Sequence, residues 1–244
     1  MNKEKAKSMM NPLCLKGVAH RGLWVKDKIS ENSLEAFKRA VERNVAIELD
    51  IHLTKDGELV VIHDEDLKRL TGKEGIVEHS TLKELQENYR LLDGSVIPSF
   101  NEVLDVVNEQ VPIFVELKVY EKNYKPLAAK AREVLDSRIK DKKNIVIISF
   151  DPRSLWPLKK AGYVRLLLVV HTHMYVYRLF GHTADGLDIE DVLFEKPCFR
   201  RYAKHHFMNA WTIEKEEQIK KVRPYVDTVT FQHMDPKEVE ALLK

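Results

Sequence analysis

AIELDIHLTKDGELVVIHDED, residues 46–66, decides the architecture. Its first half has the β-branched and aliphatic content of a strand, and strand side chains alternate between two faces. Ile47, Leu49 and Ile51 therefore share one face, which helices would cover. Glu48 and Asp50 share the other. A second apolar run, ELVVIH (58–63), ends in His63 and is followed by Asp64. Between the two runs lies HLTKDG, too short for the helix that normally connects parallel strands.

Outward from this stretch, short β-rich runs alternate with helical patterns, which predicts a parallel sheet covered by helices. LKGVAH (15–20) reads as the first strand. NSLEAFKRAVERN (32–44) reads as a helix capped by Asn32 with Glu35 three residues on. Further strands are expected at 113–118, 144–150, 164–171, 206–212 and 226–231. Helices are expected at FNEVLDVVNEQ, KPLAAKAREVLDSRI and EKEEQIKKV. With 45–51 and 58–63 the strands number eight, and the chain of 244 residues has the usual length of an α/β barrel. The expected fold is a (β/α)8 TIM barrel spanning residues 1–244 as one domain, with a small insertion at about 64–99 after the third strand. Residues 172–205 carry no clear period and have room for another strand or a lid.

Composition narrows the function classes. The net charge is +2 with no clustered basic face, so nucleic acid is not an expected partner. Nine glycines form neither GxGxxG nor GxxxxGK, which disfavours nucleotide binding. Two distant cysteines, Cys14 and Cys198, fit a reducing compartment, and the basic start lacks the apolar core of a signal peptide. A cytoplasmic location is expected. The longest apolar run, VRLLLVV, is strand-sized, so no transmembrane segment is expected.

In such barrels chemistry collects at the C-terminal strand ends. The unusual polar residues fall there: His20 and Arg21, Glu48 and Asp50, His63, Glu116 and Lys118. Three shielded carboxylates repel unless a cation sits among them. Oxygen ligands without a cysteine favour one hard divalent cation, Mg²⁺ or Ca²⁺. Salt bridges to Lys and Arg are the bland alternative. His20 and His63 flank the acids and are candidates for a general base and a general acid, with Asp64 and Glu31 as candidate orienters. Arg21 and Lys118 suit a phosphate or phosphodiester. The residues together read as metal-assisted phosphoryl chemistry.

AHRG, SENSLEAF, IELDIHLTKDGELVVIHD, IPSFNEVL and VELK follow one another in an order that resembles the glycerophosphodiester phosphodiesterase family. The likeness is dense over 17–118, with ISF (148–150) and AWTI (210–213) as later echoes. It implies a metal-dependent TIM barrel that hydrolyses glycerophosphodiesters to sn-glycerol 3-phosphate and an alcohol. By the same likeness Glu48, Asp50 and Glu116 hold the metal, His20 and His63 form the acid–base pair, and Arg21 and Lys118 contact phosphate. Glu31 and Asn32 match the family's EN pair, and Trp211 its late tryptophan. Two positions depart: Glu214 stands where the motif has Asn, and Gln232 where an Asp is common. A lysophospholipase D, or a non-catalytic phosphodiester-binding barrel, are the competing expectations. The aromatic and aliphatic residues of 174–180 could meet a lipid chain or pack beneath their own loop.

Overall fold

The computed structural model describes residues 1–244. Nine strands run in chain order: β1 (Val18–Ala19), β2 (Ala46–Leu53), β3 (Leu59–Val61), β4 (Ile113–Leu117), β5 (Ile145–Ser149), β6 (Val164–Val169), β7 (Gly186–Glu190), β8 (Phe207–Ile213) and β9 (Thr228–Phe231). All except β3 lie parallel in one ring, which closes because β1 pairs with both β2 and β9. The expected (β/α)8 barrel is what forms.

Its strand membership differs from the sequence reading at two places. Residues 58–63 do not supply a barrel strand. β3 folds back antiparallel on the end of β2, with Ile51 opposite Val61 and Leu53 opposite Leu59. The intervening turn is too short to do otherwise. Thr54 Oγ1 accepts the Glu58 amide at 3.0 Å, and Gly57 takes the left-handed conformation that closes the turn. His63 thus sits on a loop beyond a hairpin, not at the end of a barrel strand. The remaining barrel strand is β7, inside the stretch that carried no clear period. Gly186 and Asp188 weaken its strand signal. Gly186 is needed there, since a Cβ would meet the Phe207 carbonyl oxygen at 2.5 Å.

The helix after β1 spans Leu34–Glu42, and its cap is Ser33, whose Oγ accepts the Ala36 amide at 3.2 Å. Asn32 is not the cap; it is left-handed and faces the barrel interior. Gly22 is likewise left-handed, and a Cβ would lie 2.9 Å from the Ala36 backbone, so this helix can pack directly on the turn after β1.

Inside the ring the lower half is apolar. Val18, Ala46, Phe114, Val146, Leu166 and Phe207 form a cluster closed from below by Ala6, Met10 and Cys14 of the N-terminal segment. Ile47, Leu49 and Ile51 point outward into the larger core beneath the helices, as their alternation requires. Residues 64–99 carry a small cluster of their own, built on Leu67, Leu70, Val77, Leu85 and Leu91 with Val60 and Ile62 of the hairpin. No helix is long and apolar enough to cross a membrane.

Burial pushes the Cys14 thiol up to about 12, whereas Cys198 is only partly covered. That leaves Cys14 about a thousandth of the thiolate of an ordinary cysteine. One thiol per chain is expected to react with a thiol reagent in native buffer and two after unfolding. Two fast-reacting thiols in the native protein would contradict the buried plug.

Candidate active site

The upper half of the barrel interior is polar. Glu48 and Asp50 come from β2 and Glu116 from β4, where Asp50 and Glu116 are register partners. One carboxylate oxygen from each lies within 4.8 Å of the others, and all three side chains are buried. Burial pushes Glu48 well above the ordinary carboxylate range, and the charges of Asp50 and Glu116 push it further. Burial also raises Glu116, with Lys118 opposing and Asp50 adding. Burial would raise Asp50 too, but Lys118, Arg21, His63 and the Asn32 amide outweigh it and hold that carboxyl low.

Two left-handed residues aim donors at these acids. Arg21 places its backbone N–H 3.0 Å from Glu48 Oε2, and Asn32 donates its side-chain amide to Asp50 Oδ2 at 2.8 Å. The two loops are joined by an Asn32 N–H to Arg21 carbonyl bond of 3.0 Å. Left-handed non-glycine residues cost about 1–3 kcal/mol each, a strain usually held where geometry matters. The Arg21 guanidinium bonds Glu31 at 2.7 Å and lies 3.5 Å from Asp50. Lys118 reaches Glu116 at 3.0 Å and Asp50 at 3.5 Å. Burial lowers Lys118, but these two acids overcome it and carry it to about 12.

Asp50 Oδ1 is buried without a hydrogen-bond partner. Lys118 Nζ stands 3.5 Å from that oxygen, and a carboxylate oxygen without a hydrogen bond beside two further acids fits a hard divalent cation.

His20 and His63 line one cavity of about 210 Å³ together with Arg21, Glu48 and Glu116. His20 Nε2 stands 4.0 Å from Glu48 Oε2. Its Nδ1 is 2.7 Å from Gln232 Oε1, while Gln232 Nε2 donates to Glu214 at 2.5 Å. Glu214 can only accept, so it orients the amide with its oxygen toward His20. Nδ1 therefore carries the ring proton and Nε2 the lone pair, an assignment that follows from the hydrogen-bond network. The two positions that depart from the family motif thus contact each other and orient this imidazole. Burial lowers His20 to about 4, Arg21 adds to the fall, and Gln232 opposes it.

His63 has a different neighbour. Its Nδ1 lies 2.5 Å from Asp64 Oδ1, and Asp64 is clamped by Arg69, which also reaches Glu31 at 2.9 Å. Burial lowers His63 and the charges of Lys118 and Arg21 add to the fall, with Asp50 and Asp64 opposing. Burial would raise Asp64, yet Arg69 and His63 bring it down to about 2.

His52, which shares the strand face of Asp50, and residues remote from it in sequence complete this arrangement. His52 is buried beside Asp50's strand position; its Nδ1 is 2.5 Å from Glu78 and its Nε2 3.1 Å from the His63 carbonyl. Glu78 lies in the 64–99 segment, which sequence gives no reason to place here. Asp188 lines the cavity from β7, and its only sequence signal was an acid within a short aliphatic run. Trp211, expected from the family likeness, completes the far wall with Thr212 and Thr230. At Glu116, His63 and Phe150 the cavity meets an open cleft of about 970 Å³, bordered by Val176 and Phe180.

The profile of the glycerophosphoryl diester phosphodiesterase family matches residues 20–235. A glycerophosphodiester phosphodiesterase of Caldanaerobacter subterraneus subsp. tengcongensis is 36% identical over 157 residues, 59% of this chain and 61% of that protein. The chain thus spans about three fifths of the curated relative's length. A solved glycerophosphodiester phosphodiesterase from Thermotoga maritima is 30% identical with a TM-score of 0.72, over 93% of this chain and 96% of that one. A phosphodiesterase of Oleispira antarctica, in complex with the product sn-glycerol-3-phosphate, shares the fold with a TM-score of 0.83 at 23% identity, over 98% of each chain.

Proposed function

The chain belongs to the glycerophosphoryl diester phosphodiesterase family, and from that premise we propose that it hydrolyses glycerophosphodiesters to sn-glycerol 3-phosphate and an alcohol with the help of one divalent cation. The observation that carries this reading is the convergence of Glu48, Asp50 and Glu116 within 4.8 Å, beside two imidazoles in one cavity. Those three acids would hold Mg²⁺ or Ca²⁺. When bound, the cation would polarise a phosphoryl oxygen and offset negative charge as the phosphorus is attacked.

The side chains divide the remaining work. Arg21 and Lys118 would bind phosphate oxygens, with Glu31 fixing the Arg21 guanidinium and Asn32 fixing Asp50. Their neighbours support a division of roles between the histidines. His20 presents an unprotonated Nε2, backed by a neutral amide, and suits the base. It would take the proton of the glycerol 2-hydroxyl as that oxygen attacks phosphorus in line. His63 is backed by the Asp64 carboxylate, which supports a charged ring, and suits the acid. Its Nε2 would protonate the departing alcohol oxygen as the P–O bond breaks. Water would then open the cyclic phosphate, with the two imidazoles exchanging roles. The first step is intramolecular and gains the advantage of a held nucleophile.

A second reading is favoured by the cleft beyond Phe150. Val176 and Phe180 border it, and Tyr175 and Leu179 of the same segment are exposed. An acyl chain in that cleft would make the substrate a lysophospholipid and the activity a lysophospholipase D. Choline release from glycerophosphocholine and from lysophosphatidylcholine, each with Mg²⁺, Ca²⁺ or EDTA, separates the readings. Cation-dependent release from the first alone is expected. Release chiefly from the lipid would transfer the assignment to the second reading, and none from any diester would leave a binding barrel.

A further inference from the structure

Asp188 is a buried acid with no role in the chemistry above. It sits on β7, with Leu168 and Asn209 as register partners, and is 1% exposed. Its Oδ1 is buried without a hydrogen-bond partner, and the residue lines the 210 Å³ cavity. A buried acid that serves structure alone is normally paired with a cation. The cations nearby are engaged elsewhere: Lys118 with Glu116 and Asp50, Arg21 with Glu31 and Asp50. The neighbouring Asn209 donates one amide hydrogen to Thr230 Oγ1 at 2.7 Å and turns the amide toward Asp188 as well, which leaves Oδ1 as the carboxylate oxygen without a partner. On the same wall the Trp211 Nε1–H is also buried without a partner. The wall thus offers one unused acceptor and one unused donor and no positive charge. An anion has little to gain there. A hydroxyl, which both donates and accepts, suits it.

We propose that Asp188 is a specificity-determining residue that binds the 1-hydroxyl of the substrate's glyceryl half. This rests on the glycerophosphodiester reading of the site. The two spaces differ in size and openness. At about 210 Å³ the cavity is smaller than the pockets that take drug-sized ligands, and Asp188, Leu168 and Thr230 line it. The open cleft of about 970 Å³ begins at Phe150 and does not include Asp188. The small invariant half of the diester belongs in the first and the variable alcohol in the second. The 2-hydroxyl is the nucleophile, so the 1-hydroxyl is the one left to be recognised. Burial raises the Asp188 carboxyl to about 8, with Glu116 adding and Asn209 opposing. Either form of the carboxyl can bond a hydroxyl, and the protonated one does so without repelling a phosphate in the same cavity.

The test compares two phosphates in calorimetric titrations with Mg²⁺ present: sn-glycerol 3-phosphate, and 2-hydroxypropyl phosphate, which lacks only the 1-hydroxyl. The wild type is expected to prefer the first by about tenfold or more, because a polar group left unpaired on binding is penalised. Asp188→Leu keeps the shape without the polar atoms and is expected to bring the ratio to within about twofold by weakening the first ligand alone. Asp188→Asn keeps an acceptor and is expected to retain most of the preference. In turnover the Leu variant should raise KM for a glycerophosphodiester more than it lowers kcat. Equal affinity of the wild type for the two phosphates overturns the proposal, whether or not the Leu variant folds. An equal loss for both ligands in the Leu variant also overturns it, since that marks a structural role. A wild type that discriminates the phosphates but cleaves no diester overturns the catalytic reading and leaves this one standing.

Discussion

Replacing His20 or His63 by alanine is expected to lower kcat on glycerophosphocholine by about 10²–10⁴-fold each, the usual worth of a positioned acid or base. Cation affinity should stay within about threefold of wild type, because neither imidazole belongs to the converging triad of acids. The two variants should part company when the leaving group changes. A glycerol p-nitrophenyl phosphodiester releases an anion that needs no proton. His63→Ala, which lacks the acid, is then expected to come within about tenfold of wild type. His20→Ala, which lacks the base, should stay as impaired as before. The reverse pattern would exchange the two roles. Equal rescue, or none, would remove the division that Gln232 and Asp64 suggest.

Glu48→Gln is expected to reduce cation affinity by about 100-fold or more, which calorimetry with Mg²⁺ or Ca²⁺ reads directly. The substitution keeps an oxygen for the Arg21 backbone N–H that Glu48 now accepts, so the loop after β1 should stay in place. In EDTA the effect should change sign. Without a cation, Glu48 is held well above its ordinary range by burial and by Asp50 and Glu116. Such a group binds a proton more tightly folded than unfolded. Its stabilising protonation is complete below the unfolded value of about 4.3 and is lost as pH rises through the raised folded value. The cation-free wild type should therefore melt at lower temperature as pH rises above that value. The Gln variant should fall less steeply and melt higher by a few degrees at alkaline pH. A variant that binds the cation as wild type does, or that melts lower than wild type in EDTA at alkaline pH, would take Glu48 out of the ligand set.

The acids were legible because a strand's alternation is a local property. Once 46–51 was read as strand, Glu48 and Asp50 had to share a face, and their aliphatic neighbours had to face the helices. The same logic carried Glu116. It failed at 58–63, where apolar content cannot tell a barrel strand from a hairpin arm; the connection length argued for a hairpin and the strand count argued otherwise. It failed again at β7, where Gly186 and Asp188 interrupt the aliphatic pattern for reasons of packing against Phe207 and of the site itself. Asn32 was read as a helix cap because caps and ligand-binding turns draw on the same residue types, and the coordinates show that its amide donates to Asp50 instead.

By itself the sequence determined the barrel class and, through the alternation of β2 and β4, the face that Glu48, Asp50 and Glu116 share. Tertiary structure alone decided what stands behind them. Glu214 and Gln232 orient His20 from 194 and 212 positions away, Arg69 and Asp64 brace His63, and Asp188 lines one cavity with Glu48 of β2 and Glu116 of β4. Those partners are joined by ring closure and not by spacing along the chain. No local period encodes such contacts, because hydrogen bonds and buried charges respond to distance in space.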